Sequence, residues 1–289
     1  MEKCLWFYTY ADISNEIIGL RYDSFEVSGN WASRSLWFNG FCMYGDKIYL
    51  CGLENYKVCK EYSIVTGKFS MLPVLPCFKF CSAAEVIKGK YLYSVGGFGV
   101  IGLPFHSVHK LVLGTNRWLP LPNINENVGL CSLCNAEDRY IYRIGGFTRA
   151  YATYTKTIER LDLLSEESGW ELINYKGPFI DCELCVSTQC SPNTLLIFGG
   201  RRYKETLEPI HLQYGNHELL QNCFELSLSN NTMKLSKNHL NSEAAFACIK
   251  PSIIKGNVLC IDTSNMSLLK LSFIDKSTCQ IDYESSFYS

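Results

Sequence analysis

The sequence predicts an all-β protein: a six-bladed β-propeller with four antiparallel strands per blade and a ring closed by pairing of its N- and C-terminal strands. Three observations carry this prediction. A glycine-centred segment recurs along the chain, period-two alternation surrounds each copy, and no helical period competes with it. The copies are KYLYSVGGF (90–98), RYIYRIGGF (139–147) and NTLLIFGGR (193–201), with DKIYLCGLE (46–54) keeping the tyrosine and one glycine. Gly52, Gly96, Gly145 and Gly199 stand 44, 49 and 54 residues apart, spacings suited to four-stranded blades. Six units of about 48 residues would fill the chain.

Each unit repeats the same elements in the same order. The first is a short apolar run that reads as a buried strand: SLWFNGFCM (35–43), FCSAAEVI (80–87), GLCSLCNA (129–136), ELCVSTQC (183–190) and EAAFACIK (243–250). The glycine-ended strand is the second. An alternating third strand follows, as in VCKEYSI (58–64), VHKLVLG (108–114), IERLDLL (158–164), CFELSLS (223–229) and LLKLSFI (268–274). A polar turn then leads to a fourth: TGKFSMLP (66–73), TNRWLPLP (115–122), ESGWELIN (167–174) and NNTMKLSK (231–238). Alternation places one face of such strands in a core, and their length suits strands rather than helices.

The blades so defined cover 1–32 together with the tail 284–289, then 33–75, 76–123, 124–175, 176–238 and 239–283. The first unit, LRYDSFEVSGNW (20–31), lacks an upstream apolar strand. An open ring exposes sheet edges, so SSFYS (285–289) is expected to supply the innermost strand of the first blade.

These residues resemble the kelch repeat, whose pattern is an apolar strand, an Ile-Tyr-x-x-Gly-Gly strand, a Tyr-Asp-like strand and a tryptophan strand. Tyr93, Gly96, Gly97 and Trp118 match it, as do Tyr142, Gly145, Gly146, Leu161, Asp162 and Trp170. The last unit departs from the pattern, carrying Asp262-Thr263 in place of the glycine pair. The resemblance implies a protein-interaction module. It also implies two alternatives known in the family: an enzyme, copper-radical oxidase-like or sugar-processing, and an actin-associated or structural scaffold. Many kelch propellers are joined to a BTB or F-box adaptor; six blades leave no room for one in these 289 residues, so an adaptor function would need a second protein.

Composition narrows the function classes. With 27 basic and 28 acidic side chains the net charge is -1, which gives no basic excess for neutralising nucleic-acid phosphates. No apolar stretch reaches the roughly 18 residues of a membrane span. Fifteen cysteines, an odd number, lie mostly within apolar strand-like runs, where a free thiol behaves as a small hydrophobe. A chain of this length can bury a core without staples, so a reducing cytoplasm is expected.

The motifs that could carry chemistry lack the context it needs. Gly97-Phe98-Gly99-Val100-Ile101-Gly102 reads as a dinucleotide fingerprint, but Pro104 interrupts the helix it needs and no acid stands about 20 residues on. Cys131/Cys134 and Cys182/Cys185 have zinc-like spacing, yet residues three apart on a strand face opposite ways. The histidines His106, His109, His211, His217 and His239 form no metal or nucleophile motif. No catalytic residue, cofactor or metal is therefore expected.

The meander order of the strands puts the second-to-third loops on one face with the connections between blades. These loops lengthen along the chain, from ENYK (54–57) through FGVIGLPFHS (98–107) and FTRAYATYTKT (147–157) to RRYKETLEPIHLQYGNHELLQN (201–222). Loop growth confined to one face of a repeat scaffold marks a binding surface. The expected partner-binding residues are Arg34, Tyr56, Lys79, His106, Arg149, Tyr151, Tyr154, Arg201, Arg202 and Tyr203, chosen because arginine and aromatic side chains dominate interface hot spots. The run Arg201-Arg202-Tyr203-Lys204 points to a protein or peptide partner with acidic or phosphorylated segments.

Overall fold

Alternating apolar side chains and glycine-rich turns fold here into successive antiparallel sheets. The structure is a computed structural model that describes residues 4–10, 15–21, 27–32, 40–53, 57–63, 65–99, 103–148, 153–179, 181–183, 185–203, 217–220, 222–236, 252–254, 257–262, 267–275 and 278–286. The first sheet contains β1 (Cys4–Tyr10), β2 (Asn15–Arg21) and β3 (Val27–Ala32). The second contains β4 (Gly40–Tyr44), β5 (Lys47–Leu53), β6 (Val58–Ser63) and β7 (Lys68–Leu72). The third contains β8 (Ala83–Ile87), β9 (Tyr91–Val95), β10 (Val108–Val112) and β11 (Trp118–Leu121).

In the fourth, β12 (Ser132–Ala136) and β13 (Tyr140–Ile144) are followed by a two-stranded ribbon, β14 (Phe147–Thr148) and β15 (Thr153–Tyr154), before β16 (Ile158–Asp162) and β17 (Trp170–Leu172). The fifth repeats this plan: β18 (Val186–Ser191), β19 (Thr194–Phe198), a ribbon of β20 (Arg201–Tyr203) and β21 (His217–Leu219), then β22 (Cys223–Ser227) and β23 (Thr232–Leu235). The sixth contains β24 (Ser252–Ile254), β25 (Asn257–Asp262), β26 (Ser267–Asp275) and β27 (Thr278–Ser286). Helix is confined, among the described residues, to Lys57 and a single 3-10 turn at Glu166–Ser168.

First strands of neighbouring sheets touch in order, β4 to β8, β8 to β12 and β12 to β18, so these sheets stack side by side with their first strands together. Apolar cores fill the junctions. Tyr49, Cys51, Val86, Leu92 and Trp118 pack between the second and third sheets; Tyr93, Val95, Ile141, Leu161 and Trp170 pack between the third and fourth. Tyr142, Ile144, Phe179, Leu195, Ile197 and Phe224 pack between the fourth and fifth. The tyrosines and tryptophans of the repeat are thus wedges between sheets. Trp118 Nε1 also donates to Pro73 O at 2.8 Å, and Glu166 reaches back to the third sheet, accepting from Tyr93 Oη and Lys110 Nζ, each at 2.5 Å. This all-β arrangement of repeated four-stranded sheets fits a β-propeller.

The ends differ from the expectation. Ser285 and Ser286, assigned by sequence to the first blade, pair instead with Leu268 and Ser267 at the end of the β26/β27 hairpin, and the first sheet shows three strands in the order β1-β2-β3. A two-residue connection brings β27 onto β26 with little loop-closure entropy, whereas pairing with β1 would close the whole chain. Residues 287–289, and the apolar run 243–250 expected as the first strand of the last unit, lie outside the described residues.

Candidate functional site

The glycine pair fixes the root of each long loop. Gly96, Gly145 and Gly199 donate to Ser107 O, Thr157 O and Asn222 O at the start of their own third strands. The next glycine turns to the neighbouring sheet: Gly97 N donates to Val128 O at 2.8 Å, and Gly146 N to Cys182 O at 2.9 Å. The residue after it bridges back to the lead-in of its own first strand, Phe98 to Phe80, Phe147 to Gly129 and Arg201 to Glu183. Both glycines of each pair have positive φ, a region costly for residues with a Cβ. In consequence the loops after β9, β13 and β19 leave from the same side, together with the segments that connect the sheets.

Two of these loops begin as ribbons. Phe147 pairs with Tyr154 and Thr148 with Thr153; Arg201, Arg202 and Tyr203 pair with Leu219, Glu218 and His217. At their base runs a row of rings, Phe80 to Phe98 at 5.4 Å, Phe98 to Phe147 at 6.1 Å and Phe147 to Tyr154 at 5.4 Å. The row crosses from the third sheet to the fourth. Phe80, Phe147 and Tyr154 are half-buried, and Phe98 is buried. Beyond it, in the fifth sheet, Arg201 Nε donates to Glu183 Oε1 at 2.7 Å, and burial raises the Glu183 carboxyl above its usual range against the pull of Arg201.

Of the residues chosen from sequence, Tyr154, Arg201, Arg202 and Tyr203 stand on the two ribbons, and His106 is exposed in the loop after β9. Arg34, Tyr56, Arg149 and Tyr151 lie outside the described residues. Lys79 is a correction. It is fully buried, with Nζ donating to Ser107 O at 2.7 Å and Ser94 O at 3.4 Å, so it belongs to the junction of the second and third sheets and not to a rim. Cys81, two residues on, has a left-handed φ of 55°, a kink that turns the preceding chain inward.

Sequence reasoning missed Phe80, Phe98 and Phe147, which read as core positions, and it missed a buried ion cluster. Arg143 and Glu159, both fully buried, pair across β13 and β16. Glu159 Oε2 also accepts from Asn125 N at 2.8 Å and Asn125 Nδ2 at 2.6 Å, while Arg143 donates to Gly145 O at 3.0 Å and Thr157 Oγ1 at 2.9 Å. The one signal in the sequence was an arginine in a strand where the other units carry Leu50, Ser94 and Ile197.

The remaining motifs separate clearly. Cys131 and Cys134 face different cores, whereas Cys182 and Cys185 share one. Gly97 and Gly99 lead into strand β10 rather than a helix, and Val100, Ile101 and Gly102 lie outside the described residues. Among the described residues no group of three or more His, Cys, Asp or Glu could hold a metal ion, and no helix is long and apolar enough to cross a membrane. A cleft of about 260 Å³ lies at the other end of the strands, beside the turn at 165–169. It is lined by Arg160 with Glu171 and by Asp162, which accepts from Arg139, so its charges are already paired.

His109, on β10 opposite Ser94, carries a pH prediction. Burial, then the nearby Lys79 charge, pushes its imidazole down to about 4. A folded-state value below the unfolded one means that unfolded chains take up the proton first, so stability is lost as pH falls from about 6.5 toward 4. Chemical denaturation at a series of pH values is expected to show this slope, and His109→Gln to remove it.

No family model matches the chain, and no curated protein matches it. Solved structures do. One is that of YjhT, with a TM-score of 0.70 at 10% sequence identity, covering 99% of this chain and 98% of that one. At such low identity the likeness concerns the fold alone.

Proposed function

We propose that the chain is a six-bladed kelch-type propeller that acts as a protein-interaction module in the cytoplasm, binding a protein or peptide on the face that carries the second-to-third-strand loops. The observation that carries this reading is the common departure of three successive loops from one side, with an aromatic row at their base and arginines on the adjoining ribbon. Aromatic and arginine side chains offer large contact area and directed hydrogen bonds. The fitting partner places an aromatic or aliphatic side chain on the ring row and an acidic group near the ribbon that carries Arg201 and Arg202. The mechanism is recognition, without bond chemistry. Thiols outside disulfides at buried positions such as Cys51, Cys131, Cys182 and Cys185 suit a reducing compartment.

The test is affinity capture from the cell that makes the protein. The triple variant Arg149→Ala, Arg201→Ala, Arg202→Ala and the single variant Tyr154→Ser are each expected to weaken capture of the partner by at least about tenfold. Lys88→Glu, in the turn at the other end of the strands, should leave it unchanged. Undiminished capture by the triple variant would remove this face from the account.

A further inference from the structure

The buried cations of two successive junctions are balanced differently. Arg143 donates to Gly145 O and Thr157 O, and two carboxylates stand beside it. Glu159 lies directly opposite on β16, and Glu126 accepts from Thr157 Oγ1 at 2.7 Å. One junction earlier, Lys79 Nζ takes the same place, donating to Ser107 O at 2.7 Å and Ser94 O at 3.4 Å. Ser107 corresponds to Thr157, since the carbonyl of each accepts from the first glycine of its pair.

Both carboxylate positions have changed. Ser94 and His109 are the opposed pair that corresponds to Arg143 and Glu159. Leu75 N donates to Lys57 O just before β6, as Ile124 N donates to His106 O just before β10. Counting two residues on from each puts Cys77 where Glu126 stands. Lys79 is fully buried and, among the described residues, forms no ion pair. Burial pushes its ammonium down to about 8, which leaves it charged at neutral pH, and burial keeps the His109 imidazole neutral.

Three polar atoms on the residues around this cation are shielded from solvent and have no hydrogen-bond partner among the described residues: Ser94 Oγ, Ser107 Oγ and His109 Nδ1. The hydroxyl equivalent to that of Ser107, on Thr157, donates to the Glu126 carboxylate. A buried charge calls for a counter-charge, and buried polar groups without protein partners call for an ion or a water. One anion that accepts from all four groups answers both demands. The single positive charge selects a monovalent ion, and donors that arrive from two strands and a connecting segment suit a spherical one. Cys77 is only half-buried, and Glu126 at the equivalent place keeps more than a third of its side chain exposed, so an ion reaches this position without separating the sheets.

We propose that a chloride ion binds between the second and third sheets, held by Lys79 Nζ, Ser94 Oγ, Ser107 Oγ and His109 Nδ1, and supplies the negative charge that Glu126 and Glu159 supply one junction along. His109 then carries its ring proton on Nδ1. The donors come together only in the folded chain, so chloride stabilises the fold by mass action.

Thermal unfolding of the full-length chain, with chloride or bromide exchanged for gluconate at constant ionic strength, reads the site out. The midpoint is expected to rise by a few degrees for each tenfold increase in either halide above its dissociation constant. Cys77→Glu and His109→Glu each place a carboxylate beside Lys79. Both are expected to abolish the halide response while melting no lower than wild type in gluconate, and Lys79→Met should abolish it as well. Crystals grown in bromide should show an anomalous peak at hydrogen-bond distance from Lys79 Nζ. A wild-type midpoint indifferent to both halides would overturn the proposal, whatever the folding of the variants, and a bromide peak without that response would mean binding at crystal concentration only. A halide response that survives in folded Cys77→Glu and Lys79→Met chains would place the ion elsewhere and overturn it too, as would a water at Lys79 Nζ that bromide does not replace.

Discussion

Replacing Glu159 by alanine is expected to lower stability by about 3–5 kcal/mol, because it leaves the Arg143 charge buried without its partner. Both side chains are fully inaccessible, and Glu126, the other carboxylate near Arg143, is 3.7 Å away with more than a third of its side chain exposed. The loss also strands the Asn125 amide and side-chain donors that bond Glu159 Oε2. Desolvating an ion pair offsets most of its attraction, so an apolar pair of similar volume should be tolerated. The double substitution Arg143→Met, Glu159→Leu is therefore expected to recover most of the loss. Urea unfolding of both variants checks this. A Glu159→Ala chain within about 1 kcal/mol of wild type would mean that water or rearrangement reaches Arg143.

Gly96→Ala is the second large effect. Gly96 has φ of +62°, and an added Cβ would lie 2.4 Å from Val128 O, the carbonyl that accepts the Gly97 amide between neighbouring sheets. Strain at positive φ costs about 1 kcal/mol or more, and displacing a buried backbone hydrogen bond adds about 1–3 kcal/mol. Gly114 supplies the control, with φ of +87° and nothing within 4 Å of the place a Cβ would take. Gly114→Ala should show the conformational cost alone, about 1 kcal/mol. In thermal unfolding the Gly96 variant is expected to melt several degrees below the Gly114 variant; equal midpoints would refute the close-approach explanation of the repeated glycine.

The repeat was legible because glycine is chemically singular. Only a residue without a Cβ satisfies both the positive φ and the 2.4 Å approach at Gly96, so its recurrence at blade-like intervals carried the strand order with it. Alternation likewise located the third strands at Val108, Ile158 and Cys223, all buried.

Irregularities in the strands were not legible. Cys81 and Leu130, both non-glycine residues with φ near +55°, kink the lead-in to β8 and β12 and break the parity on which alternation relies. Lys79 precedes that kink, so its apparent rim position became a buried one. Cys131 and Cys134 follow the kink at Leu130 and face opposite cores, as regular alternation requires, whereas Cys182 and Cys185 both precede β18 and share a core. Long-range partners such as Glu159 for Arg143 depend on register between strands, which spacing along one chain does not reveal. Ser285 and Ser286 were misplaced for a related reason, since the local β26/β27 hairpin competes for the same residues.

Hydrogen–deuterium exchange of the chain, free and bound to its captured partner, tests the proposed recognition face most directly. The account predicts new protection in 98–107, 147–157 and 201–222, with the turns at 45–47, 88–90 and 137–139 unchanged. Protection confined to those turns, with the three loops exchanging as in the free chain, would contradict it.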